Sequence, residues 1–579
     1  MKNILITLTS FLLFYSNTNA LSLEWAVKNG GVSRDEGRSI TYDKSGNIII
    51  TGYFNNVVDF NPGAEVFNLS VNGDKDVFIQ KLKPDGSFIW AKRMGNTFDD
   101  ASNQVKTDIY DNIYTVGHFE TNVDFDPNGG IQILNSLGAY DAFIQKLDAN
   151  GNLVWAKKIG STDYDDAKAI EIDALGNVYV AGYFNGTVDF DPGAGVVNFT
   201  SNGAHDMFIL KLDINGNFVW AKKTGGVGYD IANSICSDAL NNIYITGFFE
   251  KTVDFDPNSG VFNLTSNAGT TDVFIQKIAS NGTFVWAKSV GGSGIDGGSS
   301  ISKDKNNNVY ITGGFYGTVD FDPNAGTNNL TSNGNVDVFV LKLTAKGNFV
   351  WAKKIGGLEI DFPTAITIDI DNNIHLTGYF ERTADFDPGV ASYVLNSAGK
   401  KDIFFEKLNQ NGEFMWAYRI GNKEDELSTS IAVDQYSNIY LTGSFNSKVD
   451  FNPFTPILTL NTSGTLDIFS LKINNLNELQ QISENQMENS IDEKTKEDII
   501  KVDEPLIYPN PFQSALSIQL NNPEIIDGLV NIYFINGQLV KSIKISGSVL
   551  LETTDWKEGV YILEIITEEK IVRKKIVKN

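Results

Sequence analysis

The sequence predicts an all-β chain built from seven four-stranded units, followed by a second, smaller β domain. Two observations carry this. Trp25, Trp90, Trp155, Trp220, Trp286, Trp351 and Trp416 stand 65, 65, 65, 66, 65 and 65 residues apart. A VDFDP-like element keeps the same step at Asp59, Asp124, Asp189, Asp254, Asp320, Asp385 and Asp450. A long fixed period means one supersecondary unit repeated. Within each period the runs alternate apolar and polar residues and are rich in β-branched and aromatic types, the signature of strands. The one extra residue falls in the loop NAGTTD between Asp256 and Asp272.

Each unit contains four strand-like runs. The inner run is SIAID-like, as at Ser39–Asp43 or Ala169–Asp173, and a turn after it closes on an asparagine such as Asn47 or Asn177. The second is NIYITGYF-like, with Gly52, Gly117, Gly182 and their counterparts followed two residues later by phenylalanine. The third is DVFIQKL-like and the fourth GNFVWAKK-like. Asn150-Gly151, Asn215-Gly216, Asn281-Gly282 and Asn411-Gly412 mark tight hairpins between the last two. Each unit is therefore a four-stranded antiparallel meander. Seven such sheets bury their faces and edges in a radial propeller. The ends of the array favour a closed ring over an open solenoid. The seventh unit lacks a fourth run, while LSLEWAVK opens the mature chain with Trp25 and no third run before it. The N-terminal strand is expected to complete the last blade, which removes the exposed edges an open array would keep.

These units resemble the bacterial seven-bladed β-propeller repeat family over about Leu21 to Asn474, on the pattern G-x-F…VDFDP…D-x-F-x-x-K-L…G-N-x-x-W-A. The resemblance implies a secreted or surface propeller and no particular activity. A unit of 65 residues exceeds the roughly 40–45 of a common propeller blade. The surplus lies between the second and third strands, in segments such as TVDFDPGAGVVNFTSNG. It is expected to form a protruding hairpin on the face that also carries the fourth-to-first loops, making that face the candidate binding surface.

Composition bounds function. The 579 residues are 42% hydrophobic, enough for a large core. The formal net charge of −25, from 46 basic and 71 acidic residues, argues against nucleic acid as a partner. Residues 1–20 read as a secretory signal peptide: Lys2, an apolar stretch from Ile4 to Tyr15, and small Thr18 and Ala20 before a cut at Leu21. The residue directly after the cut is Leu21 and not a cysteine, and no transmembrane segment of about 20 apolar residues occurs later. Cys236 is the only cysteine, so export brings no intrachain disulfide.

Residues 475–504 are polar and poor in aromatics and read as a flexible linker. Residues 505–579 form a small β-sandwich-like domain. It resembles the type A C-terminal sorting domain of the type IX secretion system on Tyr508-Pro509-Asn510-Pro511, Gly537, Gly559-Val560-Tyr561 and the basic Lys574-Lys575. The resemblance implies recognition by the type IX machinery, removal of this domain, a place outside the cell or on its surface, and a bacterium of the Bacteroidetes type.

Two acidic columns are candidate sites. Asp35, Asp100, Asp165, Asp230, Asp296, Asp361 and Glu426 stand four residues before each inner strand and are expected to ring the channel mouth, where they would hold a cation or basic partner. The plainer reading is an acidic loop-to-strand turn. In the VDFDP element, Asp124 and Asp126, Asp189 and Asp191, and Asp254 and Asp256 lie two apart and would share a face, as oxygen ligands of calcium do. Against that, Asn61 and Asn452 replace the second aspartate in the first and last units; asparagine keeps a turn bond but not a charge. A third column, Asp76 and its six counterparts, together with Lys81 and its counterparts, is present in every unit and is assigned to structure.

No catalytic constellation stands out. His118 and His375 occupy tyrosine positions of other units, and His205 lies in a third column. No zinc-ligand spacing, G-x-S-x-G elbow or phosphate loop occurs. The inner-strand column of Thr41, Lys106, Glu171, Cys236, Ser302, Thr367 and Ala432 varies most and faces the channel, with Lys106 and Glu171 placed for a salt bridge. The expectation is a non-enzymatic propeller that binds a polysaccharide, surface or protein through the acidic face, with no required cofactor. A secreted glycoside hydrolase or lyase, and a surface-layer component with no small ligand, are the alternatives.

Overall fold

The computed structural model describes residues 21–454, 456–475, 506–508, 515–519, 528–534, 539–545, 548–557, 559–566 and 571–578. The signal peptide 1–20, nearly all of the linker 475–504, Pro509–Pro511 and Gly537 lie outside the described residues. The chain divides into two compact units, Met1–Gln480 and Gln481–Asn579.

In the first unit the described residues are organised as antiparallel β-sheets without an α-helix. The third repeat shows the plan. Asp166–Ile172, Val178–Phe184, Asp206–Leu212 and Phe218–Thr224 pair in chain order as a meander. Thr187–Asp189 and Asn198–Thr200 form a separate two-stranded hairpin within the long connection. Among the described residues of this unit there are five four-stranded sheets of this kind and one eight-stranded sheet, which joins the strands of the fifth and sixth repeats through the pairing of Gly356 and Gly357 with Asp385 and Ala384. In the sheet of the last repeat, Leu21–Asn29 takes the fourth place, antiparallel to Asp467–Asn475. The extra residue of the fourth repeat is absorbed in a 3-10 turn, Asn267–Gly269.

The repeated residues are spent on joining neighbouring sheets. Six of the seven repeat tryptophans, all but Trp416, pack on the third-to-fourth turn of the next repeat, where a glycine holds positive φ, +77° at Gly216. A Cβ there would lie 2.9 Å from the Trp155 ring. Four of these indoles donate to a carbonyl of that turn: Trp155 to Ile214 at 3.2 Å, Trp220 to Ser280 at 3.1 Å, Trp286 to Ala345 at 3.3 Å and Trp25 to Pro84 at 2.9 Å. The third-strand lysine reaches the same turn, as Lys211 Nζ does to the Ser280 carbonyl at 3.1 Å. In every inner strand a β-bulge sets one residue out of the ladder, at Arg38, Asn103 and Lys168 in the first three. Several bulged side chains reach the following repeat: Asn233 Nδ2 to Gly298 O at 2.9 Å, Thr364 Oγ1 to Ser428 O at 2.8 Å, and Thr429 Oγ1 to Gly37 O at 2.6 Å.

The VDFDP hairpin corrects the expectation of a protrusion. Its valine and phenylalanine, such as Val188 and Phe190, are fully buried in the same core as the sheet. The Phe190 ring lies 5.1 Å from Phe184 and 5.2 Å from Phe208. A glutamine in mid third strand donates to the phenylalanine carbonyl, as Gln145 does to Phe125 at 2.7 Å. The hairpin also touches the end of the preceding sheet: Gly356 and Gly357 pair with Asp385 and Ala384, and Gly30 with Asp59. It folds back as a wedge between neighbouring sheets, its apolar side chains filling space that a close-packed interior does not leave empty.

The second unit has a three-stranded sheet of Leu506–Tyr508, Ala515–Gln519 and Ser548–Glu552, and a four-stranded sheet ordered Leu539–Ile545, Gly528–Phe534, Gly559–Ile566, Ile571–Lys578. Leu516, Ile518 and Leu551 from one and Val530, Ile532 and Leu563 from the other share one core, a small sandwich.

Candidate functional site

The first acidic column is not open to solvent, which corrects the expected mouth ring. Asp35, Asp100, Asp165, Asp230, Asp296, Asp361 and Glu426 are all at most 1% exposed. Each binds the loop that leads into its strand and, in most repeats, the chain leaving the second strand. Asp35 accepts from Gly31 N at 2.7 Å and from Asn55 N at 2.8 Å. Asp230 takes Gly226 N and Glu250 N, and Asp296 takes Gly292 N and Tyr316 N. Burial pushes the carboxyls of Asp35, Asp100, Asp165 and Asp230 up to about 7 against the pull of these donors. Glu426 also rises to about 7 and Asp361 to about 8. A third-strand carboxylate adds to the effect, as Asp206 does on Asp230. That third-strand column is buried too, and a fourth-strand cation pairs with most of it: Arg93 with Asp76, Lys158 with Asp141 at 2.8 Å, Lys28 with Asp467 at 3.0 Å.

The hairpin aspartates organise turns. Asp124 Oδ1 accepts from Asp126 N at 3.0 Å and Gln132 N at 2.8 Å, and Asp126 Oδ1 from Asn128 N at 2.9 Å. Asp189, Asp191, Asp254 and Asp256 repeat the pattern. Asn61 and Asn452 accept from Gly63 N at 2.9 Å and Phe454 N at 3.0 Å, doing the same work without charge. Among the described residues no group of three or more His, Cys, Asp or Glu side chains is placed to hold a metal ion.

The inner strands bound a cavity of about 460 Å³ lined by polar residues, including Ser39, Lys106, Glu171, Ser234, Cys236 and Lys303. Lys106 Nζ lies 3.7 Å from Glu171 Oε2, and Ser237 Oγ donates to Glu171 Oε1 at 2.8 Å. The variable column singled out in the sequence does line this cavity. His375 is structural: its Nε2 is 3.1 Å from Asp369 Oδ2, where Tyr179 of the third repeat donates to Asp173 at 3.2 Å. The bulged residues escaped sequence reasoning, although a break in strict alternation before SIAID marks them. They build a polar network on the inner strands that bound this cavity: Arg38 donates to Asn103 at 2.8 Å, and Asn103 to Asp166 at 2.7 Å.

Comparison with known proteins agrees with this layout. Residues 506–579 match the secretion system C-terminal sorting domain, and residues 350–379 match the beta-propeller repeat. The chain thus carries a type IX sorting domain behind propeller repeats, and the sorting domain implies interaction with the type IX machinery and export to the cell surface or beyond. It is similar to an uncharacterised WD repeat-containing protein of Acanthamoeba polyphaga mimivirus, 24% identical over 73% of this chain and 36% of that one. It is also similar to the regulatory protein FlaEY of Caulobacter vibrioides, 25% identical over 24% of this chain and 16% of that one. The chain spans well under half the length of either relative. Among solved structures, dimeric latent PorU of Porphyromonas gingivalis aligns at 10% identity over 65% of this chain and 31% of its own, with a TM-score of 0.12. No described helix is long and apolar enough to cross a membrane.

Proposed function

We propose that residues 21–475 form a closed ring of seven blades, locked by the N-terminal strand, and that this ring is a non-enzymatic binding or adhesion scaffold displayed outside the cell. The contacts from the last repeat to the first support closure: Thr429 to Gly37, Ser430 Oγ taking Ile40 N at 3.3 Å, and Trp25 to Pro84. They repeat the contacts between consecutive repeats elsewhere, such as Ser39 Oγ taking Val105 N at 3.2 Å.

The observation that carries the scaffold reading is that the invariant side chains are consumed in joining blades. Chemistry needs different groups in different roles, and such groups would have to come from positions where blades differ. A glycoside hydrolase or lyase would need two carboxylates facing a common opening. The seven carboxylates nearest the mouth instead face backbone N–H groups. For the hairpin aspartates, two N–H partners per first carboxylate support turn-holding over calcium.

Deleting 506–579 is expected to abolish appearance of the protein in medium or on the surface while leaving it folded in cells. The exported protein should adhere to cells or extracellular matrix without consuming substrate. Retained export of the truncated chain would overturn the sorting role, and turnover of a polysaccharide by the purified protein would overturn the non-enzymatic one. Calcium followed by chelator is expected to leave the melting temperature unchanged, since ligand binding to the folded state would raise it.

A further inference from the structure

The repeat is broken on one side of the ring. Beside the channel mouth, each repeat contributes a short row of three residues: one near the end of the second strand, one before the third-strand aspartate, and one before the buried aspartate of the next repeat. In the second and third repeats these rows read His118, Tyr140, Tyr164 and Tyr183, His205, Tyr229. The rings touch in sequence. His118 and Tyr140 lie 4.7 Å apart and Tyr140 and Tyr164 5.1 Å; Tyr183 and His205 lie 4.7 Å apart and His205 and Tyr229 5.2 Å. Backbone bridges Tyr140–Tyr164 and His205–Tyr229 fix the outer two members of each row. The fourth and fifth repeats put Thr271, Ile295, Val336 and Ile360 at the outer positions, so the rows are not a requirement of the blade.

Tyr164 and Tyr229 are 49% and 48% exposed, at the ends of rows whose other members are partly or wholly buried. Between the rows sits a polar cluster. Asp166 Oδ1 is 3.1 Å from His118 Nδ1 and takes Asn103 Nδ2, while Lys168 Nζ lies 3.1 Å from Asp166 Oδ2. Beyond the first row, Lys75 pairs with Asp99 at 2.8 Å. His205 Nδ1 is buried without a hydrogen-bond partner.

We propose that these two aromatic rows form a binding site for a neutral glycan chain, the exposed rings of Tyr164 and Tyr229 receiving sugar rings and the partly exposed Lys168, held by the buried Asp166, pairing with their hydroxyls together with the tyrosine hydroxyls. Sugar rings present C–H faces that pack on aromatic faces, and hydroxyl-bearing edges that hydrogen-bond to polar side chains; tyrosine supplies both surfaces at low entropy cost. An acidic glycan is disfavoured, because Asp99, Asp163, Asp166 and Glu120 outnumber Lys75 and Lys168 around the rows and the chain carries −25 overall. A cation is disfavoured because His118, Asn103 and Lys168 already surround Asp166.

The proposal rests on the reading of the protein as an extracellular binder and names the ligand class. The exported protein would be applied to an array of immobilised β-glucan, xylan, mannan, galactan, alginate and pectin. The double variant Tyr164→Ala/Tyr229→Ala and the control Tyr316→Ala, which removes a tyrosine of similar exposure in the fifth repeat, would be run beside it after matched thermal melts. The expected result is capture by at least one neutral polysaccharide, weakened about tenfold or more in the double variant and unchanged in the control. No capture by a neutral polysaccharide, capture by alginate or pectin alone, or equal capture by the double variant would each overturn the site. If cells still bind the double variant as they bind the parent, the scaffold reading stands and the glycan site falls. If a protein is retained through the two tyrosines and no glycan is, the ligand class is wrong.

Discussion

The buried carboxylates give the molecule a pH dependence with a definite sign. A carboxyl group whose pKa is higher folded than unfolded holds its proton better in the folded state. That stabilisation is complete below an unfolded value of about 4 and is lost as pH rises through the folded value, about 7 for Asp35, Asp100, Asp165 and Asp230. Asp166 and Asp369 act oppositely: despite burial, Lys168 and His118 hold the first low, and His375 and Lys407 the second, so their contribution is lost as pH falls below about 4. Between these limits the raised column dominates. The melting temperature is therefore expected to fall from pH 5 to pH 8, and Asp165→Asn to flatten the curve where Asp148→Asn, in an exposed turn, does not. A melting temperature that rises over this interval would contradict the assignment. Glu406 offers a sharper test. It is fully buried with neither carboxylate oxygen bonded, and burial together with Asp387 and Asp385 drives its pKa well up. In three other repeats a glutamine at this position donates to the hairpin phenylalanine carbonyl, at 2.6 Å for Gln80 and 2.7 Å for Gln145 and Gln276. Glu406→Gln is expected to stabilise the protein by about 1–3 kcal/mol at pH 8, read by denaturant unfolding, because it satisfies a buried group. The gain should shrink at pH 5, where the acid is protonated.

At the scale of elements, the period and the strand order were legible because alternation, Asn-Gly turns and the tryptophan step all report local geometry. The direction of the VDFDP hairpin was not. A two-residue alternation says that Val188 and Phe190 share a face but not whether that face meets solvent or a neighbouring sheet. The apolar pair in every copy was the available signal, since an exposed hairpin has no need of it. Burial of the Asp35 column was hidden for a similar reason: an aspartate before a strand reads as a loop residue, and its two partners, four residues before and twenty after, are backbone groups without a sequence mark. The aromatic rows were visible only as departures from the repeat, and their members come from a strand end and two separate loops. The wedge predicts a cost. Phe255 is fully buried, against Phe249 at 5.2 Å and Phe274 at 5.4 Å, so Phe255→Ala should destabilise by about 3–5 kcal/mol. Removing an exposed tip residue, as in Val261→Ala, should change unfolding by less than about 0.5 kcal/mol.

At the scale of the whole molecule, the proposed ring makes a demand that a row of independent sheets would not. In a row of sheets that contact only their neighbours, stability is a sum of local terms, and trimming one end costs only the end. In a closed ring the two ends are each other's neighbours. Leu21–Asn29 pairs with Asp467–Asn475, Trp25 caps the first repeat's turn at Pro84, and Lys472 Nζ lies 2.7 Å from Glu24 Oε2. Deleting residues 21–29 therefore strips the last repeat of its fourth strand and the first of its tryptophan latch. The deletion is expected to lower the melting temperature on the order of 10 °C, since even single buried contacts shift a domain by a few degrees. It should also expose the edge of Asp467–Asn475 to pairing with other chains, seen as oligomers in size-exclusion chromatography. The peptide LSLEWAVKN supplied in trans should restore a monomer and part of the lost stability, because it carries the whole missing strand. An equal deletion effect from Trp25→Ala alone would place the closure in the latch rather than in the strand. A deletion that melts as the parent does would leave the N-terminal strand a passenger and the ring open.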